Sequence, residues 1–335
     1  MSRPGARRAA FRIGGSVLVL ALLLAFLPRE ELWEALRGVP IAVWPAALGA
    51  YLALHLLGVA KWRRLVNSAG GGLSWAGAVR CYYLGLFGNV FLPSLVGGDV
   101  VRAGLALRLS PSRSGVLLGS LVDRMLDVVA LAGLAAAGAL LAPGTVDPKS
   151  RTIFRVLAAG AAVGGLALAA AAMVIRARWF SRRMRERLVH ARRAVRALSR
   201  QPQDVLLAFG SGVLLQGLQV VLNAWIGEAC GLHLPAAVWL FAWPLAKLSA
   251  LVPVTQGGIG VREAALAALL APFGAPAVLA VAVGLAFEAV VITGGLISGV
   301  ISLLLGRSSG AVSGAAATAR AWRRGPDPAI RELRR

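Results

Sequence analysis

The chain has 335 residues, 58% of them hydrophobic, a mean hydropathy of +0.74, only 15% charged residues and a net charge of +22. That composition excludes an ordinary soluble domain, and the continuous rather than alternating apolar runs point away from a β-barrel. The arginines lie mostly between and after the apolar runs, where the positive-inside rule places them, so the charge implies membrane topology and anionic headgroups rather than nucleic acid.

Residues 1–12 carry Arg3, Arg7, Arg8 and Arg12, and residues 13–27 are an unbroken apolar run. No small-x-small cleavage site follows it, so it reads as a first membrane helix with its N-terminus inside and not as a signal peptide. Residues 28–40 hold Glu30, Glu31 and Glu34 and suit an external loop. Residues 41–60 form a second span that returns inside at Lys61, Arg63 and Arg64, with Trp44 and Trp62 placed as interfacial anchors.

Residues 81–96 are apolar but interrupted near their end by Asn89, Pro93 and Gly97-Gly98. Arg102, Arg108 and Arg113 follow, so both flanks read as internal and a re-entrant hairpin fits better than a crossing. Non-helical backbone at membrane depth must face protein or water. Residues 115–142 are the third full span, with Asp123, Arg124 and Asp127 in its first turns. A polar external loop, 143–152, leads to a fourth span at 153–175, rich in Ala and Gly.

Ten arginines lie in residues 176–200, interleaved with Phe180, Met184, Leu188, Ala191, Val195 and Leu198. The three- and four-residue steps predict an amphipathic helix on the inner membrane surface, joining two halves of about 41–142 and 204–305. Residues 204–228 are the fifth span. Gln216, Gln219 and Asn223 share one face of it, which should point into the bundle. A second interrupted segment, 236–272, holds Trp243-Pro244, Lys247, Pro253, Gly257-Gly258 and Arg262-Glu263. Residues 276–305 form the last span, with Glu288 near its middle, and 306–335 read as a disordered cytoplasmic tail.

The two interruptions share a spacing. Pro93, Gly97, Gly98 and Arg102 recur as Pro253, Gly257, Gly258 and Arg262. Proline ends a helix and Gly-Gly permits backbone shapes closed to other residues. The crossing count brings the first hairpin in from inside and the second from outside, which is an inverted repeat. The fold class is therefore an all-α, polytopic bundle with two broken or re-entrant hairpins. Both termini are placed in the cytoplasm. A new helix follows each break, and its free amides and dipole would suit an anion, with an arginine one turn in. Gly97-Gly98 and Gly257-Gly258 should approach one central cavity from opposite sides. Asp99 suits a helix N-cap, and Glu263 the first turn of its helix. Glu288 needs a partner, with Arg102, Arg124 and Arg262 the candidates. Asp123 and Asp127 share a face and are placed to hold Arg102 or to bind a proton.

Cys81 and Cys230 form no motif, and His55, His190 and His233 are far apart, so neither a metal site nor a cofactor is expected. The sequence holds no nucleotide-binding loop, so ATP is not expected as a direct drive, and no metal cluster, nucleophile–base pair or sugar-nucleotide motif, which argues against an enzyme. The competing readings are a lipid-linked glycosyl or acyl transferase using Asp99, Glu263 or Glu288 as base, and an accessory protein of a separate lipid-modifying synthase.

The runs Gly88-Asn89-Val-Phe-Leu-Pro93-Ser-Leu-Val-Gly97-Gly98-Asp99-Val-Val-Arg102 and Pro253-Val-Thr-Gln-Gly257-Gly258-Ile-Gly260-Val-Arg262-Glu263-Ala-Ala-Leu resemble the flippase-like family defined by the membrane region of bacterial lysylphosphatidylglycerol synthases. The resemblance spans roughly residues 13–305. It implies an inner-membrane protein that moves lipids between leaflets. No aminoacyl-transfer domain follows the membrane region, so a stand-alone translocation unit is expected. Its partners would be membrane lipids with an anionic headgroup, and a homodimer or a separate enzyme is compatible with it.

Overall fold

The computed structural model describes residues 27–92, 97–141, 193–250 and 258–324, with side chains through residue 306. Among them every regular element is helical. Helix α1, Arg29–Gly38, occupies the stretch expected as a loop. Glu30 and Glu31 in its first turn and Arg37 in its last match the helix dipole. Its Leu32 packs on Val278, Val281 and Ala282.

Helix α2 spans Val43–Ser68, α3 Trp75–Phe91 and α4 Gly97–Leu109. Ser74 caps α3 by accepting from the Gly77 amide at 3.1 Å. That helix stops two residues before Pro93, consistent with the bar on helical backbone ahead of proline. Helix α5 spans Arg113–Leu141 and α6 Pro202–Ala229. Proline at the first position suits α6, since its missing donor would be unpaired there anyway. Helix α7 spans Ala236–Ser249, α8 Val261–Leu270 and α9 Ala277–Arg324, with a short 3-10 turn at Ala271–Phe273.

Four of these helices are long and apolar enough to cross a membrane: α2, α5, α6 and α9 over Ala277–Gly306. Their outer faces stay apolar. On α6, Leu214, Leu218, Val221 and Trp225 are exposed, while Gln216, Gln219 and Asn223 on the opposite face are buried. An apolar exterior with polar residues turned inward is the pattern a lipid solvent selects.

The final helix continues past residue 306, where a disordered tail was expected. Residues 315–321 are alanine-rich, and alanine favours helix more than any other residue. Residues 193–199, the end of the expected surface helix, are also helical. Leu198 packs there on Leu65 and Ala208, but Val195, read as part of the same apolar stripe, is exposed. The first and fourth expected spans, the 143–152 loop, the rest of 176–200 and residues 325–335 lie outside the described residues, as do Pro93, Pro253 and Gly257.

Helices α3 and α4 pack on each other, and so do α7 and α8. The first member of each pair lies against the long helix that follows the other pair: α3 on α9, and α7 on α5. The helices that precede the two pairs, α2 and α6, pack together. One apolar core surrounds the second pair, with Trp239, Trp243, Leu266, Leu270 and Phe287. Another surrounds the first, with Val59, Trp62, Val66, Cys81 and Tyr83. A charged layer lies between them.

Candidate functional site

The first half of that layer is built around Arg102, one turn into α4. Helix α3 approaches α4 so closely at this point that a Cβ on Gly98 would lie 2.2 Å from the Gly85 carbonyl oxygen and 2.3 Å from Asn89 Oδ1. Only glycine fits. Asn89 Oδ1 accepts from the Gly98 amide at 2.9 Å. Arg102 donates to Asp99 at 2.9 Å and to Asp123 of α5 at 3.1 Å. Its guanidinium lies over the rings of Trp62 and Tyr82, 4.8 and 5.0 Å from their centroids. Arg124 is 3.6 Å from the other oxygen of Asp99.

Lys61 of α2 completes this half. It is 2% exposed, with Nζ 3.0 Å from Asp123 and 2.5 Å from Asp127. The sequence presents it as the inner flank of a span, beside Arg63 and Arg64; the structure buries it because α2 runs on for two more turns, to Ser68. Trp62, expected at the membrane interface, is fully buried and donates to Ser120 Oγ at 2.9 Å.

The second half repeats the arrangement around Arg262 of α8. Gly258 and Gly260 take positive φ angles of 82° and 85°, which glycine adopts without a steric cost. Glu263 accepts from the Gly260 amide at 2.6 Å and from Arg262 at 2.7 Å. Arg262 also donates to Glu288 of α9, so the lone carboxylate of the last span has its partner. The guanidinium lies 5.6 Å from the ring centroids of both Trp243 and Phe287.

Both halves face one cavity of about 220 Å³. Asn89, Gly98, Asp99, Arg102, Asp123, Arg124, Asp127, Gln216, Gln219, Arg262 and Glu288 all line it. Glu263 and Asn223 are fully buried behind its wall, and Gly97 and Gly258 are not among the lining residues. The sequence left three contributors without a role. Lys247 of α7 donates to Gln216 Oε1 at 2.8 Å and to Gln219 Oε1. His55 is buried against Tyr51 and Tyr82, and neither ring nitrogen has a hydrogen-bond partner among the described residues. Trp243, which also lines the cavity, has an unpartnered indole N–H.

One expectation changes and another is sharpened. The amides at the starts of the broken helices were expected to be open to an anion, yet those of Gly98 and Gly260 are taken by Asn89 and Glu263. The two arginines were expected to add charge for an anion, and each lies between two carboxylates, Arg102 held by Asp123 and Arg262 by Glu288 as two of the candidate pairings had it. Burial explains both: a bare guanidinium or amide in an apolar bundle costs several kcal/mol, on the order of the penalty for burying any unpaired charge. Among the described residues no cluster of His, Cys, Asp and Glu has the makings of a metal site.

Four apolar helices of membrane-spanning length around a buried ionic cavity define a polytopic helical membrane protein. The chain belongs to the family described as the lysylphosphatidylglycerol synthase TM region, whose family model matches residues 10–299. That membership supports a membrane-lipid-related function. No curated protein and no solved structure matches the chain.

Proposed function

We propose that the protein is a lipid translocase, moving a phospholipid or lipid-linked anionic molecule between the leaflets of the inner membrane. The observation that carries this reading is an ionic cavity inside a bundle with an apolar exterior, lined by both Arg102 and Arg262, the arginines of the two helices that follow the breaks. Broken helices meeting at a polar site are a recurring construction in transporters.

In this reading α3–α4 and α7–α8 are re-entrant hairpins, entering from opposite faces, and the two halves form an inverted repeat. The packing supports it. Exchanging α2 with α6, α3 with α7, α4 with α8 and α5 with α9 turns the contact pattern among these eight helices into itself. The basic segments then lie on the cytoplasmic side with both termini.

The test is headgroup exchange in proteoliposomes. Labelled phospholipid in the inner leaflet should become accessible to an external quencher faster than in protein-free vesicles. Exchange no faster than in empty vesicles, across phosphatidylglycerol, phosphatidylethanolamine and a lipid-linked phosphate, sinks the reading. Double-cysteine cross-links that pin α4 to α5 should slow the exchange if the hairpins move with the cargo.

A further inference from the structure

We propose that the oxyanion of the substrate is received by Lys247, and that Arg102 and Arg262 are braces that hold the broken helices rather than ligands for the headgroup. This rests on the translocase reading and names the chemistry its cavity accepts: a phosphate ester.

The cations of the layer divide into two sets. Lys61, Arg102, Arg124 and Arg262 each lie within 4.0 Å of at least one carboxylate oxygen. An anion approaching Lys61, Arg102 or Arg262 meets a charge already offset by a carboxylate at hydrogen-bond distance, and Arg124 lies 3.6 Å from Asp99, so little net affinity results at any of them, even though Arg102 keeps an Nε–H with no partner among the described residues. Lys247 differs. Its Nζ is held by the amide oxygens of Gln216 and Gln219, and no described carboxylate lies within ion-pair distance of it. Neutral acceptors orient the ammonium, and Asp127 reaches it only through Gln216, whose Nε2 donates to that carboxylate at 3.2 Å. A charge-assisted hydrogen bond to phosphate would therefore add to what is already there.

The surroundings suit an oxyanion. Trp243 is one helical turn before Lys247 and so shares its face of α7. Trp243 lines the cavity, and its buried indole N–H has no partner among the described residues. His55 also lines the cavity, with both ring nitrogens unpartnered. Rings connect the two: His55 stacks edge-on to Tyr51 at 4.4 Å, Tyr51 to Phe287 at 6.4 Å, and Phe287 to Trp243 at 4.8 Å. A wall of apolar rings therefore carries unpaired donors at both ends. Buried donors without partners are rare in folded proteins, and a bound acceptor resolves them.

The experiment uses the full chain in detergent micelles, titrated calorimetrically with dioctanoyl phosphatidylglycerol, dioctanoylglycerol and inorganic phosphate. Wild type should bind phosphatidylglycerol saturably and more tightly than dioctanoylglycerol. Lys247→Gln should weaken phosphatidylglycerol binding about tenfold or more, the scale of one charge-assisted hydrogen bond, and leave dioctanoylglycerol unchanged. Gln219→Glu keeps the lysine but sets a carboxylate against Nζ; it should give the same selective loss, and it serves where Lys247→Gln does not fold.

Equal affinity of wild type and of a folded variant for phosphatidylglycerol overturns the proposal. So does a wild type that does not distinguish phosphatidylglycerol from dioctanoylglycerol. Competition by inorganic phosphate at concentrations near those of the lipid supports the site and assigns it to a free phosphate. No competition from phosphate supports it as a headgroup site. Failure of the translocase reading has a different signature: wild type binds phosphatidylglycerol through Lys247 but does not speed its exchange in proteoliposomes.

Discussion

The arms around Arg102 and Arg262 do the same thing by different means. Each sets an arginine between two carboxylates and against two aromatic rings. In the first arm Gly98 is needed because α3 and α4 touch, and Asn89 reaches across to its amide. In the second, Gly258 and Gly260 are needed because the chain turns through positive φ, and Glu263 of the same helix takes the Gly260 amide. The first arm is partly open, with the Asp99 side chain 27% exposed and two further cations, Lys61 and Arg124, on its carboxylates. In the second the near carboxylate is sealed, the Glu263 side chain being 0% exposed, while Glu288 beyond the arginine is 12% exposed. What is repeated is the ionic arrangement; the backbone devices that deliver it are not.

The largest test of this contrast is removal of the near carboxylate in each arm. Glu263→Ala strips a buried arginine of one partner and a buried amide of its acceptor, and should cost about 3–5 kcal/mol of stability. Asp99→Ala leaves Arg102 with Asp123 and removes a carboxylate that is 27% exposed, and should cost about 1 kcal/mol or less. Thermal unfolding in detergent measures both, and equal losses break the comparison.

Substitution of the glycines sharpens it. Gly98→Ala should cost about 1–3 kcal/mol through overpacking, and Gly98→Asn should cost more because the side chain is larger. At Gly258 the order reverses. Alanine meets a left-handed penalty of about 1–2 kcal/mol, whereas asparagine tolerates that region. Asparagine worse than alanine at both positions would show that the second break, too, is set by close approach.

The smallest effect lies outside both arms. Arg64 pairs with Asp204 at 3.0 Å, but its side chain is 46% exposed. Arg64→Ala should change stability by less than about 1 kcal/mol and lose even that in high salt. A larger loss would extend the ionic layer to the surface of the bundle.

The repeated Pro, Gly, Gly and Arg spacing made both arms legible in the sequence, and Glu288 was legible because a lone carboxylate in an apolar span needs a partner. The amide face of α6 was legible from its three- and four-residue steps. Lys61 was not, because its neighbours Arg63 and Arg64 gave it the look of a flank, and nothing local signals that the helix carries it inward against Asp123 and Asp127. The aromatic partners were hidden for a similar reason. Trp62 and Tyr82 sit in separate helices, and only packing brings their rings over one guanidinium. His55 carries no spacing signal at all; its meaning is the absence of partners, which appears only in three dimensions.

The buried ionic set has one further consequence. Lys61, Arg102, Arg124, Lys247 and Arg262 face Asp99, Asp123, Asp127, Glu263 and Glu288, so the formal charges cancel. A transmembrane voltage does work only on net charge that crosses it, about 2.3 kcal/mol per elementary charge per 100 mV. A rearrangement that carries this set as a unit is electrically silent, and the sign of any current that accompanies transport then reads the charge of the cargo alone.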